Sequence, residues 1–242
     1  MRARWCLLAA LAVVLVACGG SSPGDQRTRV GTNVSFDVPI TPGGGQLVRL
    51  SGVERGRGRV GVVLAHMLSS SQGAWSPIVG DIVDAGFHVL TFDFRGHGLS
   101  DGTRDPSRAD LDLAGAVAKL RSLGASRVLV VGASMGGTAA LVVAATEDLA
   151  AVVTLSAPAK IDSLDAGAVI GKVTEPTLFI AGEKDDARYT DAARSLYAAA
   201  HGPKHLEVVS GTGAHGTNLL TDKNAANTVK ARIMDFLIAN RG

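Results

Sequence analysis

Residues 128–137 read VLVVGASMGG, and no other stretch constrains the chain as tightly. A run of β-branched and leucine residues ends in Gly132-x-Ser134-x-Gly136, and an alanine-rich segment follows. This pattern is a buried strand, a very tight turn and then a helix. Gly132 and Gly136 lack a Cβ, which lets strand and helix approach closely around a serine in a strained turn. The turn leaves the Ser134 hydroxyl at the strand's carboxyl end. It also puts the Met135 N–H at the start of the helix, where no intrahelical partner exists and the dipole favours negative charge. A nucleophile and one donor for a developing anion thus fall within one turn. The plain alternative is a glycine-rich turn with an idle serine, so the rest of the chain decides.

That rest alternates. Short apolar runs at 60–65, 87–92, 127–131, 150–155, 177–181 and 205–209 read as buried strands. Helical patterns at 73–85, 108–123, 138–146, 191–200 and 224–239 separate most of them. Strands buried on both sides and alternating with helices mean a mostly parallel sheet covered on both faces, a three-layer α/β/α sandwich. Two weaker strand patterns at 34–38 and 46–53 flank TPGGG and predict a β-hairpin at the sheet edge. Only about twenty residues separate the strand ending at Ser156 from the one near Pro176, room for a short helix at 164–170 and no cap domain.

The N-terminus reads differently. Arg2 and Arg4 precede an apolar run at 7–17, then Cys18 and Gly19-Gly20-Ser21-Ser22. This is a secretion signal, and it resembles a bacterial lipoprotein signal, whose cysteine is lipidated and becomes the new N-terminus. The resemblance implies a lipid on Cys18, an extracytoplasmic, membrane-anchored protein, a signal at 1–17, a flexible tether at 18–32 and a folded domain at 33–242. Of 24 Lys+Arg, the signal takes two and no acids, leaving 22 against 22 Asp+Glu. The mature chain is formally neutral and shows no basic patch for nucleic acid. Of the two cysteines only Cys18 remains, which excludes an internal disulfide. No Cys/His spacing suits zinc, and the serine turn lacks the lysine of a phosphate loop, so neither metal nor cofactor is implied.

Three signals fall at strand ends. His66-Met67-Leu68 follows the 60–65 strand, where a loop can aim N–H groups into the crevice of an open α/β sheet. Asp185 lies in GEKDD, after the 177–181 strand, placed to accept from an imidazole and fix its tautomer. Asp186 beside it reads as a solvated or capping residue. His215 lies in GTGAHG, on a compact turn after the last strand, and can serve as base and then acid. His88, His201 and His205 have plain structural explanations. His97, in DFRGHGLS at 93–100, is read as shaping the sheet's upper edge.

With these residues in view, the chain resembles an α/β-hydrolase over about residues 45–240. The 132–136 elbow matches the family's nucleophile motif, residues 93–100 its Asp-x-Arg-Gly loop, residues 182–185 its acid loop and His215 its C-terminal histidine, in the family's chain order. The resemblance is to small lidless esterases and dienelactone-hydrolase-like proteins, although the latter usually carry cysteine where this chain has Ser134. It implies a serine hydrolase of carboxylic esters with Ser134, Asp185 and His215 as triad and the Met135 and Leu68 amides as oxyanion donors. Met67 stands where the family commonly has glycine, so its amide is the alternative to that of Leu68. Without a cap, an open crevice suits a small ester with a short or bulky acyl group. Two other readings share the residues: an acyltransferase using the same triad, and a lipid-anchored envelope protein with a vestigial one.

Overall fold

The computed structural model describes residues 30–242; the signal segment, Cys18 and residues 18–29 of the tether lie outside the described residues. A hairpin of β1 (Thr32–Pro39) and β2 (Leu47–Arg55) opens the chain. The central strands are β3 (Val60–Ala65), β4 (His88–Phe92), β5 (Arg127–Ala133) and β6 (Ala151–Leu155). A two-residue hairpin, β7 (Lys160–Ile161) and β8 (Leu164–Asp165), precedes β9 (Thr177–Gly182) and β10 (Lys204–Val209). Eight strands make one sheet in the order β1-β2-β4-β3-β5-β6-β9-β10. Within that sheet β1–β2 and β2–β4 are antiparallel and the other pairs are parallel.

Helices cover both faces. Helices α2 (Ala109–Ser122), α3 (Met135–Ala144) and α5 (Ala187–Ala199) bury Leu113, Val117, Ala140 and Leu196 against one face. On the other, α1 (Ser76–Asp84) and α6 (Ala226–Ala239) bury Ile78, Ile82, Ile233 and Leu237. The reason lies in the strand order. From β3 the chain moves to β4 on one side, then returns to β5 on the other. Right-handed crossovers in opposite directions put α1 and α2 on opposite faces. The loops leaving β3 and β5 therefore diverge and open a crevice at the strands' carboxyl ends. Between β6 and β9 the chain holds only β7–β8, α4 (Ala166–Val169) and a 3-10 turn at Ile170–Lys172, so no cap domain is inserted there.

Several boundaries differ from the sequence reading. Helix α3 starts at Met135, directly after the serine and where the elbow reading put it, and not at 138, where the helical pattern begins. Its small residues let it sink between sheet and α2, buried through Leu141, and packing overrides the poor helix propensity of Gly136 and Gly137. Helix α5 starts at 187 rather than 191, because the Asp186 carboxylate accepts the Arg188 N–H at 3.0 Å and caps it. The 73–85 helix divides into a 3-10 turn (Gln72–Trp75) and α1, with Pro77 in the first turn. The predicted helix at 164–170 gives up its first residues to β8.

Candidate active site

Ser134 sits at φ 47°, ψ −114°, a conformation that costs an L-residue energy and persists only when its surroundings enforce it. The enforcement is visible. The Ser134 N–H donates to the Leu155 carbonyl at 2.8 Å, and the Ser134 carbonyl accepts from Gly137 and Thr138 at 2.9 and 3.0 Å. A Cβ on Gly132 would collide with the Gly136 carbonyl, and one on Gly136 with the Ala65 carbonyl. The elbow thus packs backbone against backbone, as the glycine spacing requires.

Asp185 and His215 come from loops that are stitched together. The Lys184 N–H donates to the Thr212 carbonyl at 2.8 Å, and the Gly211 N–H to the Glu183 carboxylate at 2.8 Å. The His215 Nδ1–H donates to Asp185 Oδ2 at 2.9 Å, with the carboxylate side chain only 5% exposed. Asp185 Oδ1 accepts the Asp186 N–H at 2.8 Å, so both oxygens are held. With Nδ1 engaged by the carboxylate, Nε2 is the ring nitrogen left without a hydrogen-bond partner among the described residues. His215 and Ser134 line one crevice of ≈ 370 Å³ with Met67, Leu68 and Tyr189. No hydrogen bond joins Ser134 Oγ to His215.

The loop after β3 is braced by a histidine whose part the sequence does not announce. His66 is fully buried. Its Nδ1–H donates to the Met67 carbonyl at 2.8 Å, and its Nε2 accepts the Phe94 N–H at 3.1 Å. The C=O and N–H of a trans peptide point opposite ways. Holding the Met67 carbonyl toward His66 therefore turns the Leu68 N–H away from it. No acceptor takes the Leu68 or Met67 N–H among the described residues. Burial lowers the pKa of His66 from 6.5 to about 4. Asp93, 4.0 Å from Nε2, pulls the other way, but a nitrogen that accepts from Phe94 has no place for a proton. His97 clasps the same loop, its Nε2 2.6 Å from the Leu68 carbonyl and its Nδ1 2.9 Å from that of Arg95. This is the shaping role read from the sequence, made specific.

Two further features had no sequence signal. The Tyr189 ring lies 4.0 Å from the His215 ring, centroid to centroid, and walls one side of the imidazole. Lys160 and Arg188 line the crevice. A second groove of ≈ 380 Å³ runs against β10 and α6. Its lining includes His205, Glu207 and Arg232 but no serine, threonine or cysteine, so it offers no hydroxyl or thiol nucleophile.

Residues 62–168 match the family model described as the alpha/beta hydrolase fold. Among solved structures, the Pyrococcus furiosus esterase Pf2001 is similar at TM-score 0.75 and 21% identity, over 93% of this chain and 97% of that one. A thermophilic esterase from Thermogutta terrifontis, malate bound, gives TM-score 0.70 and 17% identity over 87% and 100%. The enol-lactonase from Burkholderia xenovorans LB400 gives 0.65 and 19% over 79% and 97%. No curated protein matches the chain. The chain has the α/β-hydrolase fold.

Proposed function

We propose that this chain, with its α/β-hydrolase fold, is a serine hydrolase of carboxylic esters. The observation that carries the reading is the Asp185–His215 hydrogen bond at 2.9 Å beside a crevice shared with the strained Ser134. Two of the similar structures are esterases and one is an enol-lactonase, which agrees with it.

In this mechanism the Ser134 hydroxyl attacks the acyl carbon and His215 Nε2 takes its proton. Asp185 holds the ring and stabilises the imidazolium. The tetrahedral oxyanion accepts from the Met135 N–H, at the helix start, and from the Leu68 N–H. His215 then gives its proton to the departing alcohol. Water, deprotonated by the same ring, frees the acid and regenerates the serine. Labelling by a fluorophosphonate tests the assignment. The wild type should be labelled on Ser134, and Ser134→Ala should be folded and unlabelled. A folded Ser134→Ala that still labels would refute the nucleophile.

The same proposal places the protein outside the cytoplasm on a Cys18 lipid, supported by the apolar run before it and the small residues after it. Strand β1 is antiparallel to β2, which is antiparallel to β4, so Thr32 enters the sheet at the end away from the crevice. An anchored enzyme would then meet small esters from solution. Among the described residues no helix is long and apolar enough to cross a membrane. Fractionation tests the anchor: the wild type should sediment with membranes and Cys18→Ser should not. Equal distribution of the two would remove the lipid from the account.

A further inference from the structure

The crevice that holds Ser134 is lined by two cations, Lys160 and Arg188, and by no carboxylate. The cations arrive from separate elements, Lys160 from the β7–β8 hairpin and Arg188 from the first turn of α5. Each is paired with an acid that does not line the crevice. Lys160 Nζ is 3.0 Å from Asp165 Oδ2 across the hairpin, and Arg188 Nη2 is 2.8 Å from Asp186 Oδ2. These contacts leave most donors free on both head groups, an ammonium with three and a guanidinium with five. The Arg188 guanidinium also lies 5.3 Å from the Tyr189 ring centroid, and that ring packs on His215. The Tyr189 ring therefore touches both a cation with unused donors and the candidate base. Apart from Ser69, Tyr189 and the reacting residues, the rest of the wall is apolar: Met67, Leu68, Pro158 and Ile161. An uncharged acyl chain would use that wall and leave the cationic rim to water. A chain that ends in an anion would use both.

We infer that the crevice selects carboxylic esters that carry a second, free carboxylate, which Arg188 and Lys160 hold while the ester bond lies at Ser134. The inference rests on the ester-hydrolase reading and names its substrate class. With the charge in the acyl half, a half-ester plus water gives a dicarboxylate, an alcohol and a proton. With the charge in the alcohol half, the products are a simple acid and a hydroxy acid.

Two pairs of probes test this, each matched in shape and differing in charge. Monoethyl glutarate and ethyl 4-carbamoylbutanoate place carboxylate against carboxamide in the acyl half. The carboxylate and carboxamide of 3-acetoxypropanoic acid do so in the alcohol half. Acid release at constant pH gives kcat/KM for each. The anion should exceed its amide by about tenfold at low salt in at least one pair, as two partly exposed cations allow. The ratio should shrink as salt screens the rim. The double variant Arg188→Gln/Lys160→Gln should bring it close to one; both side chains are exposed, so the fold is not at risk. A wild-type ratio near or below one in both pairs overturns the inference, as does a ratio the double variant leaves unchanged. Turnover of 4-nitrophenyl acetate separates the two claims. If it proceeds while both ratios stay at one, the hydrolase reading stands and the anion preference falls. If no ester is turned over, the hydrolase reading falls and takes the inference with it.

Discussion

The Met67 thioether rests on Gly216: a β-carbon at residue 216 would stand 2.9 Å from the sulfur. Thr217 Oγ1 lies 3.7 Å from the same atom. The contact joins the loop of candidate oxyanion donors to the turn that carries His215. It also gives the Met67 side chain a packing partner on the histidine turn. Only Ser134, Ser156 and Asp162 are non-glycine residues with positive φ among those described. Met67 therefore needs none of glycine's freedom, and its side chain spans to the histidine turn.

Gly216 itself does need that freedom, at φ +56°. Gly216→Ala adds strain of about 1–2 kcal/mol and pushes against the sulfur. Because His215 is the adjacent residue, kcat for a short ester should fall about tenfold or more, with KM changing less. Steady-state kinetics check this, and an unchanged kcat would show that the two loops are not coupled.

At the elbow, Gly136→Ala forces a methyl into the Ala65 carbonyl. A fully packed site yields at a cost of about 3 kcal/mol or more, so the thermal midpoint should drop steeply or soluble protein be lost. Gly80, in α1, has nothing within 4 Å of where its Cβ would be. Gly80→Ala should instead stabilise by about 0.5–1 kcal/mol. Melting curves of the two variants read both effects.

The buried neutral His66 gives a pH dependence with a defined sign. Its pKa is about 4 when folded and 6.5 otherwise. Between those values the unfolded chain binds more protons, so stability rises with pH. The contribution is complete above about pH 6.5 and is lost as pH falls toward 4, about 3 kcal/mol in all. Glutamine offers both a donor and an acceptor and does not titrate. Denaturant unfolding at pH 7, 6 and 5 should show a shallower acid loss for His66→Gln than for the wild type.

A buried ion pair fixes the 93–100 loop. Arg95 Nη2 and Nε reach Asp112 Oδ1 at 2.6 and 2.9 Å, and Arg95 also donates to the Pro39 and Ile40 carbonyls. Asp112→Ala leaves a buried guanidinium without its counter-ion and should cost about 3–5 kcal/mol. Because Arg95 also ties down the end of β1, hydrogen exchange in the β1–β2 hairpin should accelerate first.

The sheet could be read from the chain because β3, β4, β5, β6 and β9 are short apolar runs buried on both faces, and periodicity reports burial. The elbow could be read because Gly132 and Gly136 are demanded by a close backbone approach, which is local. The start of α3 could be read from the elbow but not from propensity, since Gly136 and Gly137 argue against helix and packing against sheet and α2 overrides them. The β7–β8 hairpin escaped because two-residue strands have no period. Its turn uses Asp162 at positive φ, where composition predicts no strand. The bracing by His66 depends on Phe94, twenty-eight residues onward, and the packing of Tyr189 on His215 joins loops that only the tertiary fold brings together.

The central claim is that Ser134 carries the acyl group. Quenching the protein during turnover of 4-nitrophenyl acetate and mapping its peptides by mass spectrometry tests this most directly. The account predicts one acetyl group on Ser134 in the wild type and none in Ser134→Ala, which should also lose turnover. An unmodified Ser134 during sustained turnover, together with an active Ser134→Ala, would contradict it.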